Sequence, residues 1–189
     1  MMAALRLLLT PLLAPLLALL LAACVTPPPA PAARLGLTLA PAALGESIAL
    51  QQHLKVERDG RIDELDAALE VDATQLQLVA LAFGQRVLSL RYDGVALTSW
   101  RHVLLPSQVR AEDVLEDIQL TLWPTAAIAS ALPPGWRVED RGLQRRLYMG
   151  DAVVAMIDYS QMPRWSGVAT LENLRYHYRL TIQSAPTGN

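Results

Sequence analysis

The chain is poor in the residues that build most recognisable sites: it has one cysteine, one phenylalanine, one lysine and three histidines in 189 residues. A lone cysteine, Cys24, excludes an intrachain disulfide framework and a cysteine-based zinc site. His53, His102 and His177 stand far apart, and none belongs to a His-x-His or His-Glu-x-x-His pair, so no metal or cofactor is expected. There is no Gly-x-Ser-x-Gly elbow, no glycine loop of the kind that cradles phosphate, and no dinucleotide fingerprint. No catalytic residue is therefore assigned and the protein is not expected to be an enzyme; only a site assembled from distant residues would make it one. The formal charge of −2 gives no footprint for nucleic acid. Fifteen of the 16 cationic side chains are arginine, with Lys55 the exception, and no function is drawn from that bias.

What is present begins at the N-terminus. Met1 to Arg6 carries one positive charge, Leu7 to Leu21 is Leu-rich, and the small residues Ala22 and Ala23 precede Cys24. This is the layout of an export signal. A membrane-spanning helix is the alternative, because the run approaches the roughly 20 residues needed to cross a bilayer. Pro11 and Pro15 weigh against it, since each removes a helix hydrogen bond. Leu21-Ala22-Ala23-Cys24 resembles a bacterial lipobox, in which the cysteine becomes the lipid-bearing first residue of the mature protein. Residues 1–23 are accordingly read as a signal peptide and residues 24–45 as the lipidated Cys24 with a Pro/Ala-rich tether. Removing the signal leaves 166 residues and moves the formal balance to −3, because one arginine and no acid are lost. That length suits one domain, assigned to residues 46–184, with 185–189 as a tail.

Downstream, period-two alternation dominates. Ile48, Leu50, Leu54 and Val56 share one parity, and Gln51, His53, Lys55 and Glu57 the other. Asp59-Gly60 offers a tight hairpin turn before Leu65, Ala67, Leu69 and Val71 on the return strand. Strands follow over 74–82, 86–93 and 95–102. Leu76 and Leu78 lie on one face of the third strand with Val79 and Leu81 on the other, which predicts a sheet covered on both sides. The period then becomes helical. Pro106-Ser107 is the expected start, with Val114, Leu115, Ile118 and Leu122 as the apolar stripe. Glu112-Asp113 and Glu116-Asp117 recur at helical spacing opposite it and are expected to be the solvated side. A second short helix is predicted from Thr125 to Leu132. Strands resume over 136–140, 143–149, 152–159, 168–171 and 175–183, with turns at Gly150-Asp151 and Glu172-Asn173. The expected fold is mainly β: a strongly curved antiparallel sheet or half-barrel of about ten strands, with helices inserted after the fifth.

The order of lipobox, proline tether, strands, helices and strands resembles the LolA/LolB group of envelope lipoprotein carriers. The stretch from Thr74 to Leu90 resembles the LolB segment in which two strands flank a protruding Pro-Leu-Gly loop, here Ala82-Phe83-Gly84. Ala82 replaces the loop proline, and no amphipathic helix is evident between tether and first strand. Leu76 to Gly94 also resembles a family of uncharacterised bacterial lipoproteins often encoded beside aryl-polyene biosynthesis genes.

The resemblance implies an apolar cavity between sheet and helices that takes acyl chains. Its expected walls are Leu76, Leu78, Leu88 and Leu90 with Val114, Ile118 and Leu122. The same residues would make a filled core, and periodicity does not separate the two. By the same analogy Phe83 and Gly84 form a membrane-probing loop; the other outcome is a Phe83 folded back over the sheet end. The expected function is binding of an acyl or polyene lipid, or a lipoprotein acyl chain, for transport or insertion at the outer membrane. The alternatives are a scaffold lipoprotein with a solid core and a protein partner, or a lipid or ester hydrolase. Val25, next to the cysteine, is not the aspartate associated with inner-membrane retention, which favours the periplasmic face of the outer membrane. Expected partners are the membrane through Cys24, the lipid ligand and envelope carrier proteins, with the protein itself a monomer.

Overall fold

Two hairpins in the first half of this sheet turn on successive residues with a left-handed backbone. The computed structural model describes residues 35–187; the signal segment, Cys24 and the Pro/Ala run lie outside the described residues. Strands β1 (Ile48–Arg58) and β2 (Arg61–Val71) meet at Asp59-Gly60, with φ of 50° and 75°. Strands β3 (Leu76–Ala82) and β4 (Gln85–Tyr92) meet at Phe83-Gly84, with φ of 51° and 73°. Two successive positive φ values are those of a type I′ turn, whose twist matches that of the paired strands. Strand β5 (Leu97–Arg101) completes the first meander. The second contains β6 (Trp136–Arg141), β7 (Gln144–Met149), β8 (Ala152–Tyr159), β9 (Gly167–Asn173) and β10 (Tyr178–Pro186).

The meanders join where β1 pairs with β10, giving one ten-stranded antiparallel sheet in the order β5-β4-β3-β2-β1-β10-β9-β8-β7-β6. Two helices, α1 (Ala111–Leu122) and α2 (Thr125–Ala131), cross between the edge strands β5 and β6. A flat sheet of this size would be roughly 43 Å wide at ~4.8 Å per strand, far more than a helix of about 18 Å can cover. Yet Leu76 and Leu90 from one meander and Leu147 and Leu171 from the other share a single cluster with Leu115, Leu120 and Trp123. The sheet therefore curls round the helices as a half-barrel. No helix among the described residues is long and apolar enough to cross a membrane.

Alternation in β1 to β3 is as expected on the concave side, where Ile48, Leu50, Leu69, Val71, Leu76 and Leu78 are buried. The convex side of β3 is not covered, because Val79 and Leu81 are each 38% exposed. A bulge between β3 and β4 at Ala80/Leu81 turns both Val87 and Leu88 inward, which strict alternation forbids. The last hairpin turns over residues 174–177, later than Glu172-Asn173, because the Asn173 side chain accepts from the Arg175 and Tyr176 amides at 3.2 and 3.1 Å. Tyr176 is therefore a turn residue, and β10 runs on to Pro186, into the stretch expected to be a tail.

Helix α1 begins at Ala111, later than Pro106-Ser107; Leu115 and Leu122 are buried and Glu112 is exposed, as expected, but Glu116, predicted to be solvated, is buried as well. The cause is a strap. Residues 35–40, expected to be part of the tether, instead lie along the helix with Leu35, Leu37 and Leu39 buried. Glu116 accepts from the Gly36 amide at 2.7 Å, Gln119 bonds both backbone groups of Leu39, and the Trp123 indole donates to the Ala40 carbonyl at 3.2 Å. These polar side chains satisfy strap backbone groups that would otherwise be buried without partners.

A second polar cluster locks the helices onto β7. The fully buried Arg145 donates to Asp140 at 2.8 Å and to the Leu120 carbonyl at 2.6 Å, while Thr125 and Arg164 also hold Asp140. Burial pushes the Asp140 carboxyl up, but bonds from Arg145 and Thr125 and the charges of Arg145 and Arg164 outweigh it and hold it below its ordinary value.

Candidate functional site

The half-barrel is not filled at the end where α1 starts. There β1 to β4, β10, α1 and the loop before it enclose a cavity of about 230 Å³. Its walls include Leu54, Val56, Leu65, Leu78, Leu88, Val114, Ile118 and Leu180, and its lip carries Arg58, Asp59, Arg61, Asp63 and Arg110. The gradient follows from parity: on the concave face of β1 the side chains run from Leu50 through Leu54 and Val56 to Arg58 at the turn. Each lip arginine lies near a carboxylate, Arg58 3.6 Å from Asp59, Arg61 3.7 Å from Asp63 and Arg110 3.3 Å from Glu112. The mouth is polar but close to neutral.

Of the seven residues expected to wall a cavity, Leu78, Leu88, Val114 and Ile118 do so. Leu76, Leu90 and Leu122 are 0%, 3% and 8% exposed and belong to the packed core instead, farther from the hairpin turns. Leu54, Val56, Leu65 and Leu180 were not singled out, although their parity on the hairpin strands already placed them on the concave face.

Polar groups interrupt the apolar walls: Gln52 on β1, which donates to Ser184 at 2.9 Å, Gln108 and Asp113 near the start of α1, and a Tyr178–Asp117 pair. The Tyr178 hydroxyl donates to Asp117 at 2.7 Å and accepts from Asn173 at 3.3 Å. Burial first, and then the adjacent Asp117 charge, push the Tyr178 hydroxyl well above its usual range, so it remains a proton donor. This pair joins α1 to β10 across the cavity, and Asp117 is not the solvated acid that helical spacing suggested. Among the described residues no group of three or more His, Cys, Asp and Glu is placed to hold a metal ion.

Phe83 sits at the same end, on the tip of the β3–β4 hairpin, and is fully exposed at 105% of its reference area. It does not fold back over the sheet. Gly84 beside it completes the turn and has open space around it. Cys24, the expected lipid-attachment residue, lies outside the described residues. A more open cleft of about 600 Å³ at the opposite end is lined by polar residues such as Glu70, Asp72 and Gln75 beside Ile48 and Val71.

Residues 49–186 match the model of a family described as a protein of unknown function, DUF3261. The match covers all ten strands except Ile48 at the start of β1, both helices and every residue of the cavity wall. The chain belongs to that family. No curated protein matches this DUF3261 chain.

Proposed function

We propose that this protein is a lipoprotein, anchored through Cys24 at the periplasmic face of the outer membrane, that takes an acyl or polyene lipid into the cavity and moves it without covalent chemistry. The observation that carries this reading is the cavity itself, with walls that are mainly apolar, interrupted by Gln52 and the Tyr178–Asp117 pair, and a polar lip. Transfer of this kind needs a dry pocket, since each buried CH₂ is worth ~0.8 kcal/mol. Magnitude limits the cargo. The volume of about 230 Å³ exceeds the ~150 Å³ of an apolar cavity that takes benzene and falls below the ~300–1,000 Å³ of pockets for larger ligands. In this conformation it suits a segment of one unbranched chain, so a multiply acylated cargo requires α1 to move off the sheet. The part order shared with the LolA/LolB group supports a carrier role, and the likeness to lipoproteins found beside aryl-polyene genes supports a polyene as cargo. The exposed Phe83 supports a loop that enters the bilayer during transfer.

The test is native mass spectrometry of the full chain extracted in mild detergent, paired with titration by cis-parinaric acid, a fluorescent polyene fatty acid. A solvent-extractable mass and saturable fluorescence are expected. A ligand-free chain that leaves the probe dark overturns the carrier reading.

A further inference from the structure

The strap runs in a definite direction. At Ala40-Pro41 it lies against the β4–β5 turn, where a side chain on Gly94 would come within 3.3 Å of Pro41. That turn is at the end of the sheet opposite Phe83-Gly84. Traced toward the N-terminus, the strap passes Trp123, then Gln119, then Glu116, moving toward the start of α1. Arg110, Asp113 and Asp117 at that part of the helix line the cavity. At Leu35, the first described residue, the strap is therefore directed toward the mouth end.

Two apolar tips stand at this end beside the mouth. One is Phe83. The other is Val103-Leu104, in the loop after β5, at 89% and 76% exposed. Their exposure is held in place. Arg101 donates to the carbonyls of Leu105 and Pro106, both at 2.8 Å, and His102 bonds the Val87 carbonyl through its amide at 2.8 Å. Leu105 and Pro106 face the cavity while Val103 and Leu104 point to solvent, so one loop forms both wall and tip. Ile62, 57% exposed at the neighbouring β1–β2 hairpin, adds a third apolar side chain.

We infer that the strap is an orienting device: it fixes the chain's exit at the mouth end, so that the lipid on Cys24 holds the mouth, Phe83 and Val103-Leu104 against the bilayer in which it is anchored. This rests on the anchor and the cavity as read above. Chain length supports it. Cys24 precedes Leu35 by 11 positions, a reach of about 34 Å in extended form. Strand β1, 11 residues, makes the body about 36 Å long. Had the chain left at the far end, that whole reach would be consumed in running back along the body, and the mouth would face away from the membrane. With the lip arginines paired to carboxylates, the partner is a bilayer recognised by its apolar interior, and anionic headgroups are not required.

The experiment uses the full lipidated chain in phosphatidylcholine vesicles, with Phe83→Cys, Val103→Cys or Val95→Cys carrying an environment-sensitive fluorophore. Val95 is the internal control, since it is 93% exposed but lies in the β4–β5 turn at the opposite end. A blue shift at positions 83 and 103 with water-like emission at 95 is expected, unchanged by anionic lipid. Equal emission at all three sites, or a shift only at 95, overturns the inference. Labelling of Cys24 itself in the unsubstituted chain shows a free thiol and overturns it as well. Probe binding in the same samples separates the two ideas: cis-parinaric acid bound without the shift removes the orientation alone, and the shift without probe binding removes the carrier reading alone.

Discussion

Gln119 bonds both backbone groups of Leu39, donating from Nε2 to the carbonyl at 2.8 Å and accepting at Oε1 from the amide at 2.9 Å. The residues are 80 positions apart, and the side chain of Gln119 is fully buried. Gln119→Leu keeps the approximate volume and leaves two buried backbone groups without partners, at about 1–3 kcal/mol each. The expected result is a loss of about 2–6 kcal/mol in denaturant unfolding. Amide exchange should accelerate over residues 35–40 while β1 and β10 stay protected. Unchanged protection of the strap would show that Leu35, Leu37 and Leu39 hold it by apolar burial alone.

Leu76 and Ile118 both sit inside the half-barrel but are expected to answer substitution oppositely. Leu76 is in the packed core, and Leu76→Ala should cost about 2–5 kcal/mol while leaving cis-parinaric acid binding largely intact. Ile118 borders open volume, so Ile118→Trp should abolish probe binding with little loss of melting temperature, because the larger ring occupies space already empty. Loss of stability by more than about 3 kcal/mol in Ile118→Trp would mean the void is too narrow to accept an added ring.

The same pair shows how far sequence reading reaches. The hairpin at Asp59-Gly60 is legible because positive φ at two successive residues calls for particular residue types, whereas at Phe83-Gly84 only the glycine signals the turn; period two then places each strand's buried face. Leu76 and Leu78 have the same parity, so nothing in the pattern separates core from cavity; their distance from the turn end does. The acidic face of α1 was illegible for another reason. Glu116 and Gln119 look like solvated positions until the strap is known to lie there, and the strap is masked by the Pro/Ala segment before it. A signal existed in Leu35-x-Leu37-x-Leu39, a three-residue alternation between small or polar neighbours.

Arg145 and Asp140 tie stability to acid pH. The native interactions hold the Asp140 carboxyl below its ordinary value, while the unfolded chain should titrate near ~3.9. A depressed native value contributes stability that is complete above the unfolded value and is lost as pH falls through the native one. The urea midpoint should therefore decline below about pH 4, and Asp140→Asn should flatten that decline. The same variant should cost about 3–5 kcal/mol at neutral pH, because Arg145 stays buried without its carboxylate. At alkaline pH the opposite sign applies to Tyr159, whose hydroxyl donates to the Thr121 carbonyl at 2.7 Å and is pushed up to about 12, chiefly by burial. Its contribution is present below ~10 and disappears as pH rises through the native value, so Tyr159→Phe should unfold with a shallower alkaline slope.

Phe83 occupies a position that its own chemistry disfavours. A bulky aromatic at φ 51° carries a left-handed backbone cost of about 1–2 kcal/mol, and the exposed ring recovers nothing by packing. Asparagine tolerates this conformation, and Asn-Gly is the preferred pair for the turn. Phe83→Asn should therefore stabilise the protein by about 1 kcal/mol. It should also leave cis-parinaric acid affinity unchanged, since Phe83 is not among the cavity walls. What should fall is transfer of the probe from the protein to phosphatidylcholine vesicles, by about tenfold or more if the ring's burial in the bilayer, worth about 2 kcal/mol, is lost in the transfer step. A variant that is more stable, binds equally and transfers more slowly would show that the strained phenylalanine is kept for the membrane. Equal transfer would make Phe83 a tolerated defect of the hairpin, leaving Val103 and Leu104 as the apolar tip nearest the mouth.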